Sequence, residues 1–156
     1  MKLSEAPSAS KLVTRTLLAH GGAFRAAYQF LDEGHKERIF IVANAAPASD
    51  QKIILFSPTT QIEKREAHHK SRASLVLVPL HPSMWDGVTE PCVLDCEAPV
   101  KRKVEDFLKH CEEHKYKPLT SVPEAIMQKV VAAVGESRTL SAAEKRLVLG
   151  PRSKDP

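Results

Sequence analysis

Short apolar segments separated by turn residues occupy the first two-thirds of the chain. Residues 23–31 alternate between apolar and other side chains, and a turn at 32–35 separates them from a β-branched run at 37–44. A period of two residues is typical of a half-buried strand. We therefore predict a β-hairpin, although the alanines within 23–31 would also suit a helix.

Three further strands are predicted at residues 52–58, 73–80 and 92–96, which are rich in Val, Ile and Leu. A charged loop at 63–72 and a turn-rich segment at 81–91 connect them. Prolines lie at the strand ends, where no donor is needed for a ladder.

The periodicity changes after Pro99. Residues 100–114 carry apolar side chains at helical spacing. Two sequences of the capping-box type, at 121–124 and 141–144, predict the starts of two more helices, and Gly135 and Gly150 their ends.

These elements predict one α+β domain at residues 23–150, with an N-terminal extension at 1–22 and a tail at 151–156. The domain would be a small antiparallel sheet or barrel of five or six short strands with helices on one side. A length of 156 residues suits one domain, and 42% hydrophobic with 27% charged residues excludes wholesale disorder.

The charge balance permits a polyanionic partner without requiring one. The net charge is +4 and the pI is about 9.0. Basic clusters at 63–72, which includes His68 and His69, and at 101–103 could touch a phosphate backbone, although a solvated loop and a solvated helix start are the simpler interpretations. The chain has only 5 Phe, 2 Tyr and 1 Trp, too few for a broad base-stacking platform.

The sequence predicts a cytoplasmic protein with reduced thiols. No apolar run approaches the roughly 18 residues of a membrane helix, and the N-terminus lacks the apolar core of a secretory signal. Three cysteines, an odd number, suit free thiols better than a disulfide framework.

Four residues lie near the spacing of a Cys2His2 zinc finger: Cys92, Cys96, His110 and His114. If the two cysteines lie on a strand, their positions are about 13 Å apart, too far to share one ion. We therefore expect no metal and no cofactor. Glycine-rich nucleotide loops, the hydrolase nucleophile motif GxSxG and the zincin motif HExxH are all absent from the sequence.

One pair of residues has the chemistry to act on a phosphodiester. If strands 37–44 and 52–58 are antiparallel neighbours, Arg38 at the start of one lies beside Thr59 and Thr60 at the end of the other. A guanidinium neutralises charge on phosphoryl oxygens, a hydroxyl orients the scissile group, and RNA supplies its own 2′-OH as nucleophile. The simpler interpretation is a strand end and a turn.

Several motifs together resemble a known family. The sequence GHKER at 34–38 leads into the strand IFIVAN, and the strand IILF leads into Pro58-Thr59-Thr60-Gln61. CVLDC at 92–96 and VPEAIMQKVVAAV at 122–134 follow downstream. This order resembles the MazF/PemK toxins of bacterial toxin–antitoxin pairs.

The resemblance implies an SH3-like antiparallel β-barrel with C-terminal helices, a homodimer, and metal-independent cleavage of single-stranded RNA. It also implies a cognate antitoxin peptide that lies across the active groove. Arg38 and Thr59 would be the catalytic residues. The RNA path would be lined by Lys36, Thr60, Gln61 and Lys64.

The alternative is a non-catalytic SH3-like module that binds a protein or RNA partner. Met84 and Trp85 in the HPSMWDG segment would then form a contact surface. A tryptophan that plugs the end of a small barrel explains the same segment, and burial of Trp85 distinguishes the two.

Overall fold

The computed structural model of the protein describes residues 14–27, 37–113 and 115–150. The strands are β1 (Ala23–Ala27), β2 (Glu37–Val42), β3 (Lys52–Phe56), β4 (Pro58–Thr59), β5 (Leu77–Leu80), β6 (Cys92–Asp95), β7 (Val100–Lys103) and β8 (Lys117–Leu119). The helices are α1 (Ile62–His69), α2 (Ala73–Val76), α3 (Val104–Glu112), α4 (Glu124–Glu136) and α5 (Ala142–Leu149). Short 3-10 turns occupy Pro47–Ser49 and Lys70–Arg72.

The strands form two antiparallel sheets. One has the order β7-β3-β2-β1-β8 and the other the order β4-β6-β5. The chain leaves the first sheet after Phe56 and enters the second at Pro58. The predicted α+β class with antiparallel pairing is confirmed, but the described strands form no ladder between the two sheets that would close a barrel.

Apolar side chains cover both faces of the five-stranded sheet. On β3, Ile54 and Phe56 belong to a core that includes the second sheet, α4 and α5. Ile53 and Leu55 point into a second core beneath α3. In that second core the rings of Phe24 and Tyr116 stack with centroids 4.1 Å apart. Burial on both faces explains why these strands are continuously apolar rather than alternating.

The predicted β1–β2 hairpin is present. Its described ladder runs from Ala23 opposite Ile41 to Ala27 opposite Glu37. The remainder of the predicted first strand and the turn at 32–35 lie outside the described residues. Residues 14–17 form a helical turn whose Leu17 is buried in the second core.

The predicted loop at 63–72 is wrong, because residues 62–69 form α1 and a 3-10 turn follows. The strand predicted at 73–80 begins only at Leu77, after the short helix α2. No side chain of α1 belongs to either apolar core. Its sequence therefore lacks the apolar periodicity that predicts a helix. Ion pairs rather than an apolar face hold α1 in place.

The helix predicted at 100–114 starts later, at Val104, because residues 100–103 pair with β3 as strand β7. Strand β8 was not predicted. The first capping box is wrong: Pro123 precedes α4 without a side-chain cap, and Gly135 lies inside that helix. The second is confirmed, since the Ser141 hydroxyl accepts from the amide of Glu144.

Helix α5 is tied to the sheet by one carboxylate. Glu144 accepts hydrogen bonds from Lys52 at 2.8 Å, from the Ser141 amide at 3.0 Å and from Lys101 at 3.0 Å. These three donors lower the pKa of Glu144 to about 2, although its partial burial opposes the shift. The ionised carboxylate therefore joins α5 to both β3 and β7.

This tether predicts a pH dependence of stability. Because the folded-state pKa of Glu144 is below its ordinary value of 4.5, its contribution is present above about pH 4.5 and is lost as the pH falls towards 2. We expect Glu144→Gln to lower the free energy of unfolding by about 1–2 kcal/mol at pH 7, after allowance for screening of the exposed lysines. Urea unfolding of both proteins across this range measures the difference, which should shrink on acidification. A difference that stays constant with pH would contradict the assignment.

Candidate active site

The start of β2 and the end of β3 lie at the same end of the five-stranded sheet. The two strands are antiparallel, with Ile41 opposite Phe56 and Val42 opposite Leu55. Arg38 precedes Ile41 by three residues, about 10 Å along the strand. If this register continued, Arg38 would face Thr59. The antiparallel neighbourhood on which the sequence argument depended is therefore present.

The chain between β3 and Thr59 bends out of this register. Thr59 belongs to β4 and pairs with Val93 in the second sheet. Arg38 remains in the first sheet, where it pairs with Ala26 across the ladder. Both side chains are half-buried. Arg38 and Thr59 thus lie towards the same end of the β2–β3 pair but belong to different sheets.

A tight turn follows Thr59. The Thr59 hydroxyl accepts from the amide of Gln61 at 3.2 Å, and the amide of Ile62 donates to the Thr60 carbonyl at 2.9 Å. Helix α1 starts at Ile62. The side chains of Thr60, Gln61 and Lys64 are exposed. Three of the four residues predicted to line the RNA path therefore lie on one accessible segment, while Lys36 lies outside the described residues.

A buried carboxylate anchors α1. Asp95, at the end of β6, is only 5% exposed. Its Oδ2 accepts from Arg65 Nη1 at 3.3 Å and contacts His69 Nε2 at 2.9 Å. Because Arg65 and His69 are four residues apart, they lie on the same face of α1. Asp95 therefore fixes the helix that carries Lys64 against the second sheet.

A second carboxylate extends this network towards the C-terminal helices. Glu97 Oε2 accepts from Arg72 at 2.8 Å and from the Arg138 amide at 2.7 Å, and Glu97 Oε1 lies 3.4 Å from His69 Nδ1. Burial alone would raise the pKa of Glu97, but the Arg138 amide and Arg72 outweigh it and lower that pKa. The segment from α1 to β6 is thus held by paired charges.

Sequence reasoning missed this network. His68 and His69 were assigned to a solvated loop, which is correct for the exposure of His68 but wrong for His69, whose side chain is 6% exposed. An acidic residue inside the apolar strand CVLD was the available signal. Its partners could not be predicted, since they are about 25 to 30 residues away in sequence.

The segment that connects the two sheets contains a buried hydroxyl with no partner among the described residues. The Ser57 hydroxyl oxygen is buried and makes no hydrogen bond with the described residues. It lies between Phe56 and Pro58, where the chain changes sheets. Sequence analysis did not single out this residue.

Trp85 is buried, with 3% of its surface exposed. Its indole Nε1 donates to the carbonyl oxygen of Thr120 at 2.9 Å, and its ring belongs to the first core. A Cβ at Gly87 would lie 2.2 Å from the ring, so glycine makes room for it. Trp85 is therefore a buried core residue and is not available as a contact anchor.

The residues at zinc-finger spacing are distributed over both faces of the large sheet. Cys92 and Cys96 are buried in the first core, whereas His110 lies on α3 and contacts the Tyr116 hydroxyl at 3.2 Å. His114 is outside the described residues. Within those residues, no group of three or more His, Cys, Asp or Glu side chains could hold a metal ion.

The cysteines are free thiols with little nucleophilic character. Cys92, Cys96 and Cys111 are all buried and unpaired with each other. Burial raises the pKa of each of them. Protonated thiols are poor nucleophiles, so these side chains serve the cores.

The described part of the chain contains no helix with the length and apolar character needed to span a membrane. A scan against protein-family models gives no match, and no curated protein matches the sequence.

Two solved structures align with most of this chain at low sequence identity. One is a MazE–MazF structure (Form-III) from Deinococcus radiodurans, with a TM-score of 0.49 and 13% identity, covering 77% of this chain and 94% of that chain. Another is an endoribonuclease in complex with its cognate antitoxin from Mycobacterial species, with a TM-score of 0.48 and 14% identity, covering 79% of this chain and 96% of that one. The first carries the name of the family that the sequence resembles.

Proposed function

We propose that this protein is an endoribonuclease of the MazF/PemK kind that cleaves single-stranded RNA. The observation that carries the proposal is the antiparallel pairing of β2 and β3. It brings the start of β2, with Arg38, to the end of β3, from which the chain continues to Thr59. The motif resemblance, which depends on the sequence alone, implies catalytic roles for these same two residues.

The proposed reaction is an internal transesterification. The 2′-oxygen of a ribose attacks the adjacent phosphorus, the bond to the 5′-oxygen breaks, and that oxygen leaves with a proton as a 5′-hydroxyl. The other product carries a 2′,3′-cyclic phosphate. Arg38 would stabilise the negative charge that develops on the phosphoryl oxygens, and the Thr59 hydroxyl would position the phosphate.

The substrate would lie along the segment that follows Thr59. Thr60, Gln61 and Lys64 are exposed there, and Lys64 supplies a positive charge for a neighbouring phosphate. Lys36, two residues before Arg38 in the sequence, would also contact RNA. The ion pairs of Asp95 hold α1 in place, which supports a fixed rather than adaptable binding surface.

The remaining parts of the proposal follow from the motif resemblance. The two sheets would be the halves of an SH3-like barrel, two copies would form a homodimer, and a cognate antitoxin peptide would cover the active groove. Because its proposed substrate is cellular RNA, the protein would act in the cytoplasm. Because RNA supplies the nucleophile and Arg38 the positive charge, the proposed reaction uses no metal and no cofactor.

Cleavage by purified protein tests the proposal. We expect a mixed-sequence transcript to be cut in the presence of EDTA and to yield 5′-hydroxyl and 2′,3′-cyclic phosphate ends. Ligation that depends on prior 5′ phosphorylation, and mass spectrometry of the fragments, identify these ends. Single-stranded DNA of the same sequence is the matched control and should remain intact, since it lacks the 2′-OH.

Two outcomes of this experiment would contradict the proposed ribonuclease activity. Intact RNA after incubation with folded protein would favour the non-catalytic module. Cleavage that EDTA abolishes, or that leaves 5′-phosphate ends, would indicate a different reaction.

A further inference from the structure

A basic groove lies on the outer edge of the five-stranded sheet, away from the candidate active site. It has a volume of about 660 Å³ and is lined by Gln51, Lys52 and residues 101–105. Strand β7, which supplies most of the lining, is one of the two edge strands of this sheet. Sequence analysis had interpreted 101–103 as a solvated helix start, which the strand assignment corrects.

The register of β7 concentrates positive charge on one face. Lys103 pairs with Lys52, and Lys101 pairs with Ile54. Residues opposite each other in a ladder share a face, so Lys52, Lys101 and Lys103 all project to the same side. Like charges directly opposite each other destabilise a sheet, so the Lys52–Lys103 pair carries a cost in the isolated protein.

The nearby carboxylates do not balance this charge. Glu144 contacts Lys52 through Oε2 at 2.8 Å and Lys101 through both carboxylate oxygens at 3.0 Å. It also caps α5 through the Ser141 amide. Glu105 is the acidic residue in the lining itself. Against these two carboxylates stand three lysines, and Lys103 has no carboxylate partner among the described residues, so this face of the groove keeps an excess of positive charge.

The groove lies at the opposite end of β3 from the candidate active site. Lys52 is the first residue of β3, whereas the chain leaves from Phe56 towards Thr59. Lys103 is exposed and makes no ion pair with the described residues. A ligand in the groove would therefore not compete with the phosphate at Arg38, but a long polyanion could reach both.

We propose that this groove binds the phosphate backbone of single-stranded RNA at a second position, distant from the scissile bond. The inference rests on the proposed function for the identity of the polyanion. Closely spaced phosphates match a row of lysines held on one sheet face, and binding them relieves the repulsion between Lys52 and Lys103. The contact contributes to affinity and to its salt dependence but not to the chemical step.

The test measures binding without cleavage. The probe is a short fluorescein-labelled 2′-O-methyl RNA, which cannot be cut because its 2′-oxygen is blocked, and fluorescence anisotropy is recorded between about 50 and 200 mM salt. The variants are Lys103→Gln and the double variant Lys101→Gln/Lys103→Gln. The matched control, Lys109→Gln/Lys129→Gln, removes the same net charge from exposed positions on α3 and α4.

We expect the slope of log affinity against log salt to decrease in magnitude by about 0.7 for each groove lysine removed. The double variant should bind several-fold more weakly at about 100 mM salt, and the control should bind as the wild type does. Lys103→Gln should not lower the melting temperature, because it removes a repulsive pair.

Equal losses in the groove variant and the control would overturn the inference, since they would indicate general charge attraction. Absence of wild-type binding to the probe would also overturn it. If the groove variant alone loses affinity but the wild type cleaves no RNA, the groove stands and the ribonuclease proposal fails. If the wild type cleaves RNA and the groove variant binds the probe normally, the ribonuclease proposal stands and the groove inference fails.

Discussion

Replacement of Arg38 by alanine is expected to slow RNA cleavage by at least about a hundredfold without unfolding the protein. The guanidinium would be the positive charge that faces the phosphoryl oxygens as charge develops on them. Arg38 lies near the start of β2 and is half-buried, outside both apolar cores, so its replacement by alanine opens no cavity in either core. Initial rates on a fluorescent transcript measure the effect, and circular dichroism with thermal unfolding checks the fold.

A conservative variant makes this test sharper. Arg38→Lys keeps the charge but loses the planar fork that can contact two phosphate oxygens at once, so its rate should lie between those of the wild type and Arg38→Ala. Arg146→Ala removes the same charge from an exposed position on α5 and should cleave normally. A folded Arg38→Ala protein with the wild-type rate would remove Arg38 from the proposed site. Growth arrest and RNA fragmentation on induced expression should follow the same order.

Replacement of Trp85 by alanine is expected to lower the free energy of unfolding by about 3–5 kcal/mol. The indole fills part of the first core, and its Nε1 donates to the Thr120 carbonyl, which joins the segment before β6 to the segment before α4. Truncation would leave a cavity and an unsatisfied carbonyl. Urea unfolding followed by circular dichroism measures the change, since the variant lacks the only tryptophan of the chain.

The adjacent residue provides the control. Met84 is 39% exposed, so Met84→Ala should change the free energy of unfolding by less than about 0.5 kcal/mol. Trp85→Phe keeps a large ring but lacks the indole donor, so its loss of unfolding free energy should lie between those of Trp85→Ala and Met84→Ala. Wild-type stability in Trp85→Ala would indicate that the side chain is dispensable to the core, and would return it to consideration as a contact surface.

The network around Asp95 shows that the structural role of a residue depends on which distant side chains the fold places beside it. Arg65 and His69 belong to a segment that looks solvated in sequence, because it lacks apolar periodicity. They become partly or largely buried since Asp95, on a neighbouring strand, provides their partner. Their role is to position α1 and, with it, the exposed Lys64 of the proposed RNA path.

The basic run at 101–103 shows the same dependence on distant neighbours. As a helix start, its side chains would spread around the helix into solvent. As an edge strand, Lys101 and Lys103 share a face with Lys52, about 50 residues earlier in the chain. The groove exists because of that pairing.

Local pattern was sufficient to predict the β1–β2 hairpin, β3, β6, the second capping box and the α+β class. Each of these depends on residues a few positions apart, whose periodicity or hydrogen bonding can be predicted without knowledge of contacts from distant segments. It also placed Arg38 near the start of β2 and Thr59 after the end of β3, and these two strands prove to be antiparallel partners. Tertiary structure alone decided that residues 62–69 form a helix, that 100–103 form a strand, that Trp85 is buried, and that Arg38 and Thr59 lie in different sheets. The reason is physical: these outcomes depend on long-range ion pairs, on ladder partners and on core volume, which come into being only when distant segments meet.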